Sequence, residues 1–110
     1  MPLTFDSYAN VVPAGVSYET VAASQTAQVL GGSGTAGDYL VGVLIVPQNT
    51  SPGTVAILDS ATSVTVFAGG AGSTLTLHPF YVPLGIKSVN GAWKITTGAS
   101  VSVIAIGFFS

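Results

Sequence analysis

The sequence predicts an all-β domain, a β-sandwich of about eight strands, and three observations carry that expectation. Glycine and proline, 14 and 6 residues, punctuate the chain at short, fairly even intervals, as turns punctuate successive strands. The stretches between them are rich in Val, Ile and Thr, whose branched side chains fit a pleated surface. The pair Asn90-Gly91 is a two-residue hairpin signal, because both residues accept positive φ.

Taken in order, residues 1–17 contain Pro2 and Pro13 and show no clear period, so they are expected to form an extended N-terminal arm preceding a sandwich domain over residues 18–110. Residues 18–30 admit two readings. Tyr18, Val21, Ala22, Val29 and Leu30 fit a helical stripe with Ser17 as N-cap and Gly31 as stop. Read as β, residues 26–30 make a strand before a glycine loop, and this is favoured because a lone helix fits the surrounding pattern poorly. Strands are then expected over residues 39–46, 54–58, 63–68, 73–77, 86–89, 92–96 and 100–108. The turn at Asn90-Gly91 would set Lys87 opposite Lys94, and place Ile86, Ser88, Trp93 and Ile95 together on the core face.

Two of these strands break the usual alternation. Residues 39–46 (YLVGVLIV) and 103–109 (VIAIGFF) are apolar on both faces, whereas an antiparallel sheet with one wet face alternates. Either a second layer or another copy of the chain is expected to cover the outer face, and the small size of the domain favours another copy.

The chemistry available is narrow. Only two lysines and four carboxylates are charged, 5% of the 110 residues, for a net charge of −2. Soluble domains carry about a quarter charged residues, while protein interfaces are depleted in Lys, Glu and Asp. A surface this poor in ions is expected to be covered largely by other protein. Two lysines and no arginine cannot neutralise a phosphate track, so nucleic acid is not an expected partner. No apolar run approaches the roughly 20 residues of a spanning helix, no basic secretory leader is visible, and the absence of cysteine rules out disulfides and thiolate metal sites.

The motifs that suggest chemistry fail on context. Gly32-Ser33-Gly34-Thr35-Ala36-Gly37 matches G-x-G-x-x-G, but it leads into Asp38 and a strand rather than a helix N-terminus. Gly69-Gly70-Ala71-Gly72 lacks the Lys-Ser/Thr of a phosphate loop. His78 is the only histidine and has no second ligand at metal spacing. Asp6, Glu19, Asp38 and Asp59 do not cluster in sequence, and Asp59 belongs to a turn, Asp59-Ser60-Ala61-Thr62, where its carboxylate can bond the backbone that follows. No catalytic residue, cofactor or metal is expected, and the chain is not expected to be an enzyme. Candidate partner contacts are Lys87, Lys94, Tyr81, Phe108 and Phe109. The two lysines either splay into solvent or meet carboxylates of a partner.

The blocks Asp38-Tyr39-Leu40-Val41-Gly42-Val43-Leu44-Ile45-Val46-Pro47 and Gly91-Ala92-Trp93-Lys94-Ile95-Thr96-Thr97-Gly98-Ala99-Ser100-Val101-Ser102-Val103-Ile104-Ala105-Ile106-Gly107 are similar to small structural proteins of tailed bacteriophages. Val66-Phe67-Ala68-Gly69-Gly70 and Pro83-Leu84-Gly85-Ile86 fit the same pattern. The resemblance spans roughly residues 26–109, while residues 1–24 match nothing in it. It implies a compact β-sandwich of jelly-roll type, often trimeric, that decorates a virion and cements neighbouring major capsid protein subunits, with no catalytic residues to carry over. The alternative is a tail-fibre or baseplate module that recognises host-surface saccharide.

Overall fold

The computed structural model describes residues 16–110. The described chain is all-β, with eight strands: β1 (Ser17–Val21), β2 (Gln28–Val29), β3 (Tyr39–Pro47), β4 (Val55–Asp59), β5 (Thr62–Phe67), β6 (Phe80–Lys87), β7 (Trp93–Thr97) and β8 (Val101–Phe108). They form two four-stranded antiparallel sheets. Sheet A has the order β1-β8-β3-β6, and sheet B the order β2-β7-β4-β5. First pairs with last throughout: β1 with β8, β2 with β7, β3 with β6 and β4 with β5. The chain thus follows the path of one long hairpin folded over on itself into two layers.

Burial of the inner faces holds the layers together. Leu40, Val43 and Ile45 of β3 and Val101, Val103 and Ala105 of β8 point inward from sheet A. Val55 and Ile57 of β4 and Trp93 and Ile95 of β7 meet them from sheet B. Each large aliphatic side chain so enclosed stabilises the fold by roughly 1.5–3 kcal/mol. A bulge between Leu40 and Gly42 lets both Leu40 and Val43 face the core, because the extra residue restores the inward phase. Trp93 fits the core only because its indole N–H finds an acceptor: Nε1 donates to the Asp38 carbonyl at 2.9 Å.

Several expectations require correction. Residues 18–30 are not helical: β1 and β2 occupy the region, the expected strand 26–30 shortens to Gln28–Val29, and a strand not anticipated from the pattern lies over Ser17–Val21. Ser17, at the end of the expected arm, already opens β1; residues 1–15 of that arm, with Pro2, Asp6 and Pro13, lie outside the described residues. Residues 73–77 are not a strand, since β6 begins only at Phe80.

The Asn90-Gly91 hairpin is also absent. β6 ends at Lys87 in sheet A and β7 starts at Trp93 in sheet B, so the segment between them is a corner joining the layers. Lys87 therefore pairs with Tyr39, and Lys94 with Leu58 and Val29, instead of with each other. Ile86, opposite the core residue Leu40, faces inward but lies at the rim of sheet A, 41% exposed, instead of packing with Trp93 and Ile95, while Ser88 is buried. A competing acceptor explains the outcome. The Asp59 carboxylate takes the N–H groups of Val89 at 3.0 Å, Asn90 at 3.1 Å and Gly91 at 3.3 Å, which fixes this backbone as a corner. Asp59 does border a two-residue turn, as expected, but it caps a distant segment and not its own turn.

Candidate interaction surface

Register identifies which side chains share the outer face of sheet A. Directly opposed residues of an antiparallel pair lie on the same side. One row runs Tyr18, Ile106, Gly42, Pro83, and the next runs Thr20, Ile104, Leu44, Tyr81. At one end Phe108, Tyr39 and Lys87 complete the face. No described strand lies over it, since sheet B packs on the opposite side. Tyr18 is 71% and Tyr81 45% exposed, and Leu44, Ile104, Ile106 and Phe108 are half-buried by their neighbours. Lys87 carries the only charge in these rows.

Local packing shapes the face. A Cβ on Gly42 would strike the Tyr81 ring, so the glycine is the groove that lets Tyr81 lie flat across β3; this is how an aromatic covers a glycine in a sheet. Tyr39 and Phe108 meet edge to face, with centroids 6.2 Å apart at 67°. Pro83 sits on β6, an edge strand, where its missing N–H costs no ladder bond.

Of the five candidate contact residues, the structure brings together three. Tyr81, Phe108 and Lys87 lie on the outer face of sheet A. Lys94 is on the outer face of sheet B, half-buried between Val29 and Leu58. Phe109 packs partly against the core and is not displayed with Phe108. Tyr18, Tyr39, Leu44, Ile104 and Ile106 belong to the same face and were not singled out from the sequence. The unbroken apolar runs of β3 and β8 held the signal for four of them; Tyr18 required the register of β1.

The described carboxylates all hold backbone. Glu19 accepts the Gly31 N–H at 2.7 Å and the Gln28 amide at 3.0 Å, bracing β1 against β2. Asp38 is buried and accepts from Thr35 N–H at 3.2 Å and from the Ser110 N–H and hydroxyl at 3.0 and 2.9 Å. Asp59 is held below the usual carboxylate range, chiefly by the Val89 N–H, with Asn90 and Gly91 adding to it against the opposing effect of desolvation. The glycine loop is occupied in the same way. The Ser33 and Gly34 N–H groups donate to the Ser110 carbonyl, and Gly37 donates to Ser88, so these donors already have protein acceptors. His78 is exposed on the connection before β6. Among the described residues there is no pocket and no cluster of three metal-ligating side chains.

No family model, no curated protein and no solved structure matches the chain.

Proposed function

We propose that this protein is a non-enzymatic structural subunit of a bacteriophage virion, a decoration protein that self-associates and binds the major capsid protein from outside. The observation that carries the reading is the outer face of sheet A, where three tyrosines, three branched aliphatic side chains and Phe108 share one surface with a single lysine. Contiguous apolar patches on this scale mark sites where other protein docks, and loss of ions is the compositional mark of such surfaces. The nested strand order fits the jelly-roll connectivity that the sequence resemblance implies. The engagement of Glu19, Asp38 and Asp59 with backbone donors supports a structural use of the scarce polar groups.

In this reading the broad face of sheet A lies on the shell, and sister copies meet at the sheet edges. Weak contacts repeated on a regular lattice add through high effective concentration. The test is light scattering of the purified chain, followed by its addition to capsid shells that lack it. The reading predicts a solution mass above the 11.0 kDa of one chain and saturable binding at a fixed ratio to capsid subunits. A monodisperse monomer that leaves the shells bare contradicts it.

A further inference from the structure

Of the four sheet edges, three carry features that discourage pairing with another chain. β2 has two residues, β6 contains Pro83 and a bulge and ends in Lys87, and β1 carries Glu19. Short strands, proline, bulges and charge are the usual protections of an edge. β5, Thr62–Phe67, has neither proline nor charge, and its one bulge falls at the far end, at Val66 between Phe67 and Thr65, leaving the flat stretch TSVT with all four residues exposed. The alternation of the ladder shows which groups are free. Ser60 N–H donates to the Ala92 carbonyl across β4 and β7, so Leu58 bonds toward β7 and Asp59 and Ile57 bond toward β5. Ser63 and Thr65, opposite Leu58 and Ala56, therefore turn their N–H and C=O groups outward.

A second element has the complementary defect. Residues 73–77, Ser-Thr-Leu-Thr-Leu, alternate like a strand but pair with none. They lie in the connection from Phe67 to Phe80, whose rings meet with centroids 5.2 Å apart, so the connection closes on itself and projects from the sandwich. Glycine N–H groups tether its first half, Gly70 to the Pro52 carbonyl and Gly72 to the Ser51 hydroxyl. Among the described residues no hydrogen bond reaches residues 75–79. Leu75 is 92% and Leu77 53% exposed.

We propose that residues 73–77 of one copy add as a strand to the open edge of β5 in a second copy. The occupant is fixed by the match of the two patterns. With Leu75 set antiparallel opposite Val64, which is itself 53% exposed on the core side, Thr74 falls opposite Thr65 and Thr76 opposite Ser63. Apolar meets apolar at the rim of the core, and hydroxyl meets hydroxyl on the outer side, as cross-strand pairs require. The outward groups of Ser63 and Thr65 and the backbone of Thr76, idle in the single chain, are satisfied in the joint, where the Thr74 N–H exchanges its long 3.4 Å bond to the Thr50 carbonyl for one to Thr65. Because two different elements meet, each copy offers one donor and one acceptor, so the joint is heterologous and links copies head to tail, into a ring where its rotation closes and a filament where it does not. This inference rests on the self-association proposed above and names the surface responsible.

The test uses the full chain in three forms: wild type, Leu75→Asp with Leu77→Asp, and Val64→Lys. Light scattering should give a multi-chain mass for wild type and a single-chain mass for each variant. A mixture of the two variants should form a one-to-one pair, because one intact joint remains. If wild type associates and the variants still do so, or if the mixture stays monomeric, this joint is wrong while self-association stands. If wild type is itself a monomer, both fall. Since the chain lacks cysteine, cross-linking does not depend on whether Val64→Lys folds. Under mild oxidation, Leu75→Cys mixed with Val64→Cys should form a covalent dimer faster than either alone, and equal rates would overturn the joint.

Discussion

The outer face of sheet B presents Lys94, Thr96, Ser63 and Thr65 beside Ala56 and Leu58, and its central strand β7 alternates buried and half-buried residues, Trp93 and Ile95 inward, Lys94 and Thr96 outward. The outer face of sheet A presents Tyr18, Tyr81, Leu44, Ile104 and Ile106 in the equivalent positions. Both sheets bury their inner faces in the same core, so the stability of the fold does not explain the difference. A sheet that needed only one dry face would be written as sheet B is. On the reading proposed above, the second dry face of sheet A is where other protein docks.

Three predictions bear on that contrast. The largest effect should come from placing charge on the face. Leu44→Asp with Ile104→Asp should weaken docking on the shell by about 100-fold or more, the loss typical of truncated interface anchors, whereas Leu58→Asp on the outer face of sheet B should change it by less than about 3-fold. Urea unfolding supplies the control. Ile45→Ala, one residue along β3 and fully buried, should cost about 2–5 kcal/mol of stability, and Leu44→Ala much less. If the two costs are equal, Leu44 is a core residue and the face is misassigned.

A smaller difference separates the two lysines. Lys87 borders the apolar face and Lys94 does not, so Lys87→Ser should weaken docking by up to about 1 kcal/mol, as a rim charge does. Lys94→Ser should leave docking unchanged, and titration calorimetry of the two variants distinguishes them. If Lys94 alone matters, the docking side is sheet B.

The smallest effect concerns the corner that holds the sheets in register. Asp59 is held below its ordinary value of 3.8 by the Val89 N–H and its neighbours. Its ionised form is favoured by folding, so its contribution is fully present above the unfolded-chain value and is lost as pH falls through the lower folded one. Asp59→Asn should therefore be less stable than wild type at neutral pH, and the gap should close below about pH 3.8. Thermal unfolding of both proteins across that range checks the sign.

The sequence was most readable where local chemistry and packing agree. β3, β4, β5, β7 and β8 fall within a residue or two of their expected positions because branched apolar runs bounded by Gly and Pro have few alternatives. The two-sided apolar character of β3 and β8 also corresponds to the apolar outer face of sheet A. What could not be read was pairing. Asn90-Gly91 is a strong turn signal, yet a carboxylate distant in sequence, Asp59, claims the backbone around it and turns a hairpin into a corner between sheets. Residues 73–77 carry a strand pattern that no neighbour in the single chain completes. Tyr18 carries no such local signal, because its place on the face depends on β1 pairing with β8, a contact between opposite ends of the described chain.

The most direct measurement of the claim that sheet A's outer face is covered in the assembly uses the absence of native cysteine. Cysteine is placed singly at Thr20, on sheet A, and at Lys94, on sheet B, and the rate of thiol labelling is followed for the free chain and for the chain bound to capsid shells. The account predicts that Thr20→Cys becomes at least about 10-fold slower to label on binding, as burial under a protein interface requires, while Lys94→Cys is unchanged. Equal labelling of Thr20→Cys in the free and bound states would contradict it.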